Sequence, residues 1–261
     1  MKISIRAIFL SVLLLFAVAA EAAISAQLSE NSAINKAGRQ RMLTQRIIKS
    51  YAQIHLAVQP ETSRVQLATA VRLFDAQLIE LKSWAKETDV REALGELERH
   101  WTPFRATAVR QPDRDGLDRL ISADQALLAA AHQVVMLLEK HSGMVVGRLV
   151  KISGRQRMLS QQLAKYYMLR LAGRETAAIS DEIKFAQYSF ESALDELKAA
   201  TENSDAINRE LQAVALQWEW FRTVLTHGGA QSYALIVANA SESIVNSMDL
   251  VTAMYEKLPN N

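Results

Sequence analysis

Cysteine is absent from the 261 residues, which excludes disulfides, thiolate nucleophiles, thiolate zinc sites and redox exchange at once. Proline is scarce at four and glycine at nine, while 49% of residues are hydrophobic and 22% charged. That balance argues against wholesale disorder and for a chain with a sizeable core. There is no dense basic tract: 30 basic residues face 28 acidic ones along the whole chain, so no nucleic acid is expected as a partner despite a pI near 8.8. The five histidines, His55, His100, His132, His141 and His227, form no HExxH motif and no i,i+4 pair, which leaves a zinc site without support. Glu96 and Glu98 stand four and two residues before His100, not at the three-residue spacing of a di-iron bundle. No nucleophile elbow occurs. The expectation is a non-enzymatic protein without metal or cofactor.

What is present begins with the N-terminus. Lys2 and Arg6 precede an apolar run from Ile8 to Ala20, and Ala20-Glu21-Ala22 has the small-x-small pattern of an export cleavage site. Residues 1–22 read as a signal peptide, with an uncleaved membrane anchor as the alternative. Either way the rest is exported, and a periplasmic location is expected. No later stretch approaches 18 uncharged apolar residues, so a second membrane crossing is not expected.

The chain is written twice. INKAGRQRMLTQ at 34–45 returns as VKISGRQRMLSQ at 150–161, which places Gly38 over Gly154 at an offset of 116. The same offset puts Phe74 over Phe190 and Leu78 over Leu194, and an offset of 117 puts WTPFR at 101–105 over WEWFR at 218–222 and Glu139 over Glu256. The repeat length of about 115 residues is far beyond that of a solenoid. Two equal units follow, 23–142 and 143–261.

Apolar residues recur at helical spacing in both units, as at Val65, Ala68, Val71, Leu78 and Leu81 and again at Ile183, Ala186, Phe190, Leu194 and Leu197. Turn signals at Gln59-Pro60-Glu61, Thr88-Asp89, Gln111-Pro112-Asp113, Gly173, Asn203-Ser204-Asp205 and His227-Gly228-Gly229 cut each unit into four helices. The fold class is therefore all-α, two tandem up-down four-helix bundles. Between Gly116 and Gly173 there is no proline, and the spacing predicts one shared helix from Leu117 to Ala172, roughly 84 Å long, that joins the bundles into a rod. A break at Gly143 or Gly147 is the alternative. The aromatic residues Trp101, Phe104, Trp218, Trp220 and Phe221 are expected in the bundle cores.

On a helical wheel the first helix buries Leu43, Ile47, Tyr51 and Ile54. Its opposite face carries Ile34, Gly38, Arg41, Met42, Gln45 and Lys49, with Arg39 and Arg46 at the flank, and the second copy repeats Gly154, Arg157, Met158, Gln161 and Lys165. Glycine permits a close approach, methionine fills an irregular contact, and arginine presents a planar fork of donors to an oxyanion. Two such faces meeting would form an anion site. Ordinary salt bridges to neighbouring glutamates are the competing role for Arg41 and Arg157, while Arg39 and Arg155 are suited to local pairing. Gln45 and Gln161 suit either the anion or plain packing.

GRQRMLTQR at 38–46 and GRQRMLSQQ at 154–162, each opening a long helix, resemble the periplasmic four-helix sensor domain of type IV pilus methyl-accepting chemotaxis transducers. That domain is similar to the input domain of nitrate/nitrite sensor kinases. The resemblance implies a small inorganic anion held by Arg41 and Arg157, close approach at Gly38 and Gly154, and a further basic position at Arg46, where the second copy has Gln162. It also implies a membrane-bound sensor or transducer as partner and a site formed between two first helices, either within one chain or in a homodimer. Three roles follow as expectations: a periplasmic nitrate- or nitrite-like anion sensor, a docking protein of a chemotaxis or pilus assembly, and an adaptor for a larger organic acid.

Overall fold

A computed structural model describes residues 28–142, 148–226 and 231–258. The stretch at 1–22, the glycines Gly143 and Gly147 and the break at His227-Gly228-Gly229 lie outside the described residues. Within them the chain forms α-helices and one short 3-10 turn, with no strand. The first unit contains α1 (Glu30–His55), α2 (Pro60–Trp84), α3 (Thr88–Ala108) and α4 (Arg114–Ser142). The second contains α5 (Arg148–Leu171), α6 (Ala177–Lys198), α7 (Asp205–Thr226) and α8 (Ala234–Tyr255).

Local chemistry sets these boundaries. The Ser29 hydroxyl accepts from Ser32 N at the start of α1, and the Thr176 hydroxyl accepts from Ile179 N at the start of α6. Pro60 opens α2, where its missing N–H costs nothing. Gly173, at φ +70°, ends α5, with Arg174 N donating to Leu169 O and Gly173 N to Arg170 O; this is the left-handed cap that glycine adopts without strain.

Each unit closes on an aromatic stack. Phe74 lies on Trp101 at 3.8 Å between centroids, and Phe190 lies on Trp218 at 4.2 Å. Phe104 and Phe221 complete the two clusters. Gln40 donates to Phe74 O and Gln156 to Phe190 O, so the glutamine of each repeated string fastens its first helix to its second. Trp220 departs from expectation and is 67% exposed. It occupies the outward position that Pro103 holds in α3, two residues past the buried tryptophan, where a helix has turned roughly 200°.

The shared helix does not form. Helix α4 ends at Ser142 and α5 begins at Arg148. The two lie antiparallel, with Glu139 bonded to Lys151, Asp124 to Lys165 and Asp118 to Arg174. In one straight helix Asp118 and Arg174 would stand roughly 84 Å apart. Helix α1 also runs antiparallel to α4, with Arg41 facing His132 and Gln45 facing Asp124. Hence α1 and α5 are parallel, and they pack against each other along their length. The bundles stand side by side, not end to end. Uninterrupted apolar spacing across the join reflects two helices that each bury a face, and the spacing alone contains no sign of the reversal.

Helix α4 is long and apolar enough to cross a membrane by length and composition. Here it packs on α1 and α3, and its Asp118 and Asp124 are engaged in the ion pairs just described, as suits a bundle helix.

Gly116 carries a sharp steric demand. A Cβ built there would stand 1.9 Å from the Tyr51 hydroxyl and 2.9 Å from Asp113 Oδ1. The tyrosine is 1% exposed and accepts from Asp113 N, while Gly116 N donates to Asp113 Oδ1. Gly116→Ala is therefore expected to destabilise the chain by about 1–3 kcal/mol, measured as a fall in denaturation midpoint. An unchanged midpoint would show that Tyr51 has somewhere else to go.

Candidate functional site

The two repeated strings meet where α1 and α5 pack. A cavity of about 20 Å³ lies between them, lined by Gly38, Arg41, Gly154 and Arg157 together with Val135 and Glu139 of α4. The structure thus brings together four of the predicted site residues from both copies in one chain. It does not bring Gln45, Arg46 or Gln161 to this cavity.

The glycines do something other than admit a second backbone. Among the described residues, and apart from its chain neighbours and the local helix backbone, the atom within 4 Å of a Cβ at Gly38 is Arg41 Nη2, at 3.7 Å, and at Gly154 it is Arg157 Nη2, at 3.2 Å. The arginine one turn later folds back over each glycine, at ordinary contact distance over Gly38 and tightly over Gly154. The close approach accounts for the glycine before Arg157 in the second copy.

The two arginines are alike in position and unlike in charge balance. Arg157 is 1% exposed. Its Nη1 donates to Asp249 Oδ1 and its Nη2 to Asn35 Oδ1 at 2.7 Å. Burial pushes its pKa down, and Asp249 pulls it back. Arg157 thus makes the salt bridge to a neighbouring helix that was its competing role, from a buried position to a carboxylate that is 35% exposed. Asp249 takes a second guanidinium, Arg39, at 2.9 Å.

Arg41 has a different neighbour at the equivalent place. With the offset of 117, Asp249 corresponds to His132, and Arg41 Nη1 lies 3.1 Å from His132 Nδ1. Burial first, and Arg41 second, push the histidine pKa below its ordinary value, so near neutral pH the ring is uncharged. Guanidinium only donates, so Nδ1 accepts and the ring proton resides on Nε2. The Arg41 Nε is buried and without a partner. Its pKa is lowered to about 10, chiefly by burial, with Glu139 acting in the opposite sense and Arg155 and Arg157 adding to the fall. Glu139 itself is held by Lys151 at 2.8 Å. Arg41 remains protonated at neutral pH, short of one acceptor and without an anion bonded to it.

One turn further along, the residues that the cavity lacks hold the bundles together. Lys49 is fully buried and reaches Glu242 of α8, which also takes Arg46. Lys165 reaches Asp124 of α4, which also accepts from Gln45 Nε2 at 2.8 Å. Gln161 donates to Ser241 O at 3.1 Å. Each lysine thus crosses from its own unit to a carboxylate of the other. Burial alone would raise the Glu242 pKa, yet Lys49 and Arg46 outweigh it and hold the carboxyl below its ordinary value. Gln162, in the place of Arg46, donates to the Tyr166 hydroxyl.

His132, Asp249, Asp124, Glu242 and Asn35 were not singled out as site residues from the sequence. The repeat offset that aligned Glu139 with Glu256 also aligns His132 with Asp249 and was the available signal. Among the described residues no group of three or more metal-ligating side chains occurs.

Residues 22–134 match the family of type IV pili methyl-accepting chemotaxis transducer N-terminal domains. The match spans the whole first bundle up to the middle of α4, including Gly38, Arg41 and His132. No curated protein and no solved structure gives a match. The matched region is thus similar to the N-terminal sensory domain of chemotaxis and pilus transducers.

Proposed function

We infer that the chain is a non-enzymatic periplasmic sensor module in which Arg41 receives a small anion of the size of nitrate or nitrite, for relay to a membrane-bound transducer. One observation carries this reading: the same guanidinium position is neutralised by Asp249 in the second copy and faces a neutral His132 in the first. Repeat two contains its own anion, and repeat one has room in its charge balance for an external one. The resemblance of the matched region to transducer sensory domains supports the same role.

The cavity holds about 20 Å³, space for one water, so a larger anion enters only if Arg41 swings or α1 and α5 shift apart. Such a ligand binds one packing of the two helices better than the other. That difference is what converts occupancy into a signal. Both first helices come from one chain, so the arrangement needs no second copy to complete the site.

Isothermal titration of the full chain with nitrate and nitrite, with chloride and sulfate as controls at fixed ionic strength, tests this. Saturable binding of one anion per chain is expected, weakened at least about tenfold in Arg41→Ala. Absence of heat with every anion, together with an unchanged melting temperature, would overturn the reading in favour of a docking role.

A further inference from the structure

A second, larger concavity lies away from the repeated strings. Helices α2 and α3 pack loosely on each other, and the gap between them is a cleft of about 660 Å³, closed at one end by the last turn of α1. Its floor is apolar: Leu67, Val71 and Ala108 are buried and Ile54 is half-buried. Its walls carry Arg64, Arg72, Arg105 and Arg110, and no aspartate or glutamate lines it.

The four arginines divide into two kinds. Arg64 is tethered to Glu61, and Arg105 to Asp75 at 2.7 Å. Among the described residues Arg72 donates to the Thr69 hydroxyl and pairs with no carboxylate, and Arg110 bonds no side chain. Two guanidiniums therefore flank a greasy floor with their bidentate forks unspent.

The second unit repeats only part of this: at the offset of 117 Arg105 becomes Arg222, which also lines a cleft there, while Arg110 becomes His227. At the offset of 116, Arg64, Val71 and Arg72 become Ser180, Gln187 and Tyr188. Among the described residues, the cleft between α6 and α7 that Gln187, Tyr188 and Arg222 line has a volume of about 430 Å³ and includes Glu191. Because the duplicated fold does not require Arg64, Arg72 and Arg110, their gathering in the first unit needs a reason of its own.

We propose that the α2–α3 cleft binds an amphipathic organic carboxylate, with its carboxylate held by Arg72 and Arg110 and its hydrocarbon body laid on Leu67, Val71 and Ile54. The volume lies in the range that encloses a small organic ligand. A planar carboxylate matches the guanidinium fork. An inorganic anion would leave the apolar floor in water, and an uncharged hydrocarbon would leave the arginines without a counter-charge. This site is separate from the Arg41 cavity, and the chemistry it selects is different.

Calorimetric titration of the full chain with octanoate, with octyltrimethylammonium as a control of equal tail and opposite charge, decides the matter. Octanoate is expected to saturate at one per chain, and affinity should fall roughly fourfold for each methylene removed in heptanoate and hexanoate. Arg72→Glu/Arg110→Glu should weaken octanoate at least about tenfold. Both side chains are exposed, so the variant's melting curve should match the parent's. Arg41→Ala should leave octanoate binding unchanged, which separates this site from the inorganic one. The proposal is overturned by absence of saturable heat, by equal binding of the ammonium compound, or by an unaltered affinity in the double arginine variant.

Discussion

Glu242→Ala is expected to cost about 3–5 kcal/mol of stability. Glu242 is the carboxylate for two cations, Arg46 and the fully buried Lys49. Removing it leaves a buried ammonium without the carboxylate that neutralises it. The lysine escapes only by losing its proton, and burial already pushes its pKa down. Chemical denaturation of Glu242→Ala should therefore show a sharply lower midpoint. Lys49→Met should restore much of the loss when combined with it, because the pair then vanishes together and an apolar side chain fills the space. If the double variant is no better than the single, the cost lies in packing at α8 and not in the stranded charge.

The same carboxylate gives the pH dependence its sign. Its pKa is lower in the folded chain than in the unfolded one, where it is about 4.3. The unfolded state then binds the proton more readily, so the contribution of Glu242 is complete above that value and is lost as pH falls through the lower folded pKa. Acid should loosen the contact between the two bundles below about pH 4, and Glu242→Gln should remove that portion of the acid sensitivity.

Much of this was legible in the sequence, for reasons that particular residues make plain. The breaks at Pro60, Thr88 and Gly173 follow from backbone preferences that hold in any context, and the paired Phe-Trp stacks from residues too large and apolar to sit elsewhere. The face carrying Gly38, Arg41 and Lys49 was legible as one that would form a site if it met another like it. The reversal between α4 and α5 was not, because Leu138, Leu149 and Ile152 keep helical spacing whether the chain runs on or doubles back. Long-range partners were likewise hidden. Nothing local to Arg46 announces Glu242, and nothing local to Gly154 reveals that its missing Cβ makes space for the guanidinium of Arg157. Trp220 was misplaced because it is adjacent in sequence to a core cluster while pointing away from it.

Asp249→Asn should convert the second copy into a state resembling the first. The substitution keeps the shape of the side chain and removes the charge that Arg157 and Arg39 share. Asp249 is 35% exposed, so solvent screens part of the loss, and the expected cost of about 1–2 kcal/mol is below that at Glu242. Arg157 stays buried and keeps only the Asn35 carbonyl among its direct side-chain acceptors. Nearby, Glu256 has a pKa raised by burial, against the pull of Arg157; Glu256→Gln is added to prevent it from assuming the vacated role. In that double variant nitrate should raise the melting temperature more steeply than in the parent, measured against sulfate at equal ionic strength, because a second guanidinium now lacks its internal anion. A parallel response in parent and variant would mean that Asp249 does not stand where an external anion would bind, and the contrast between His132 and Asp249 would lose its functional meaning.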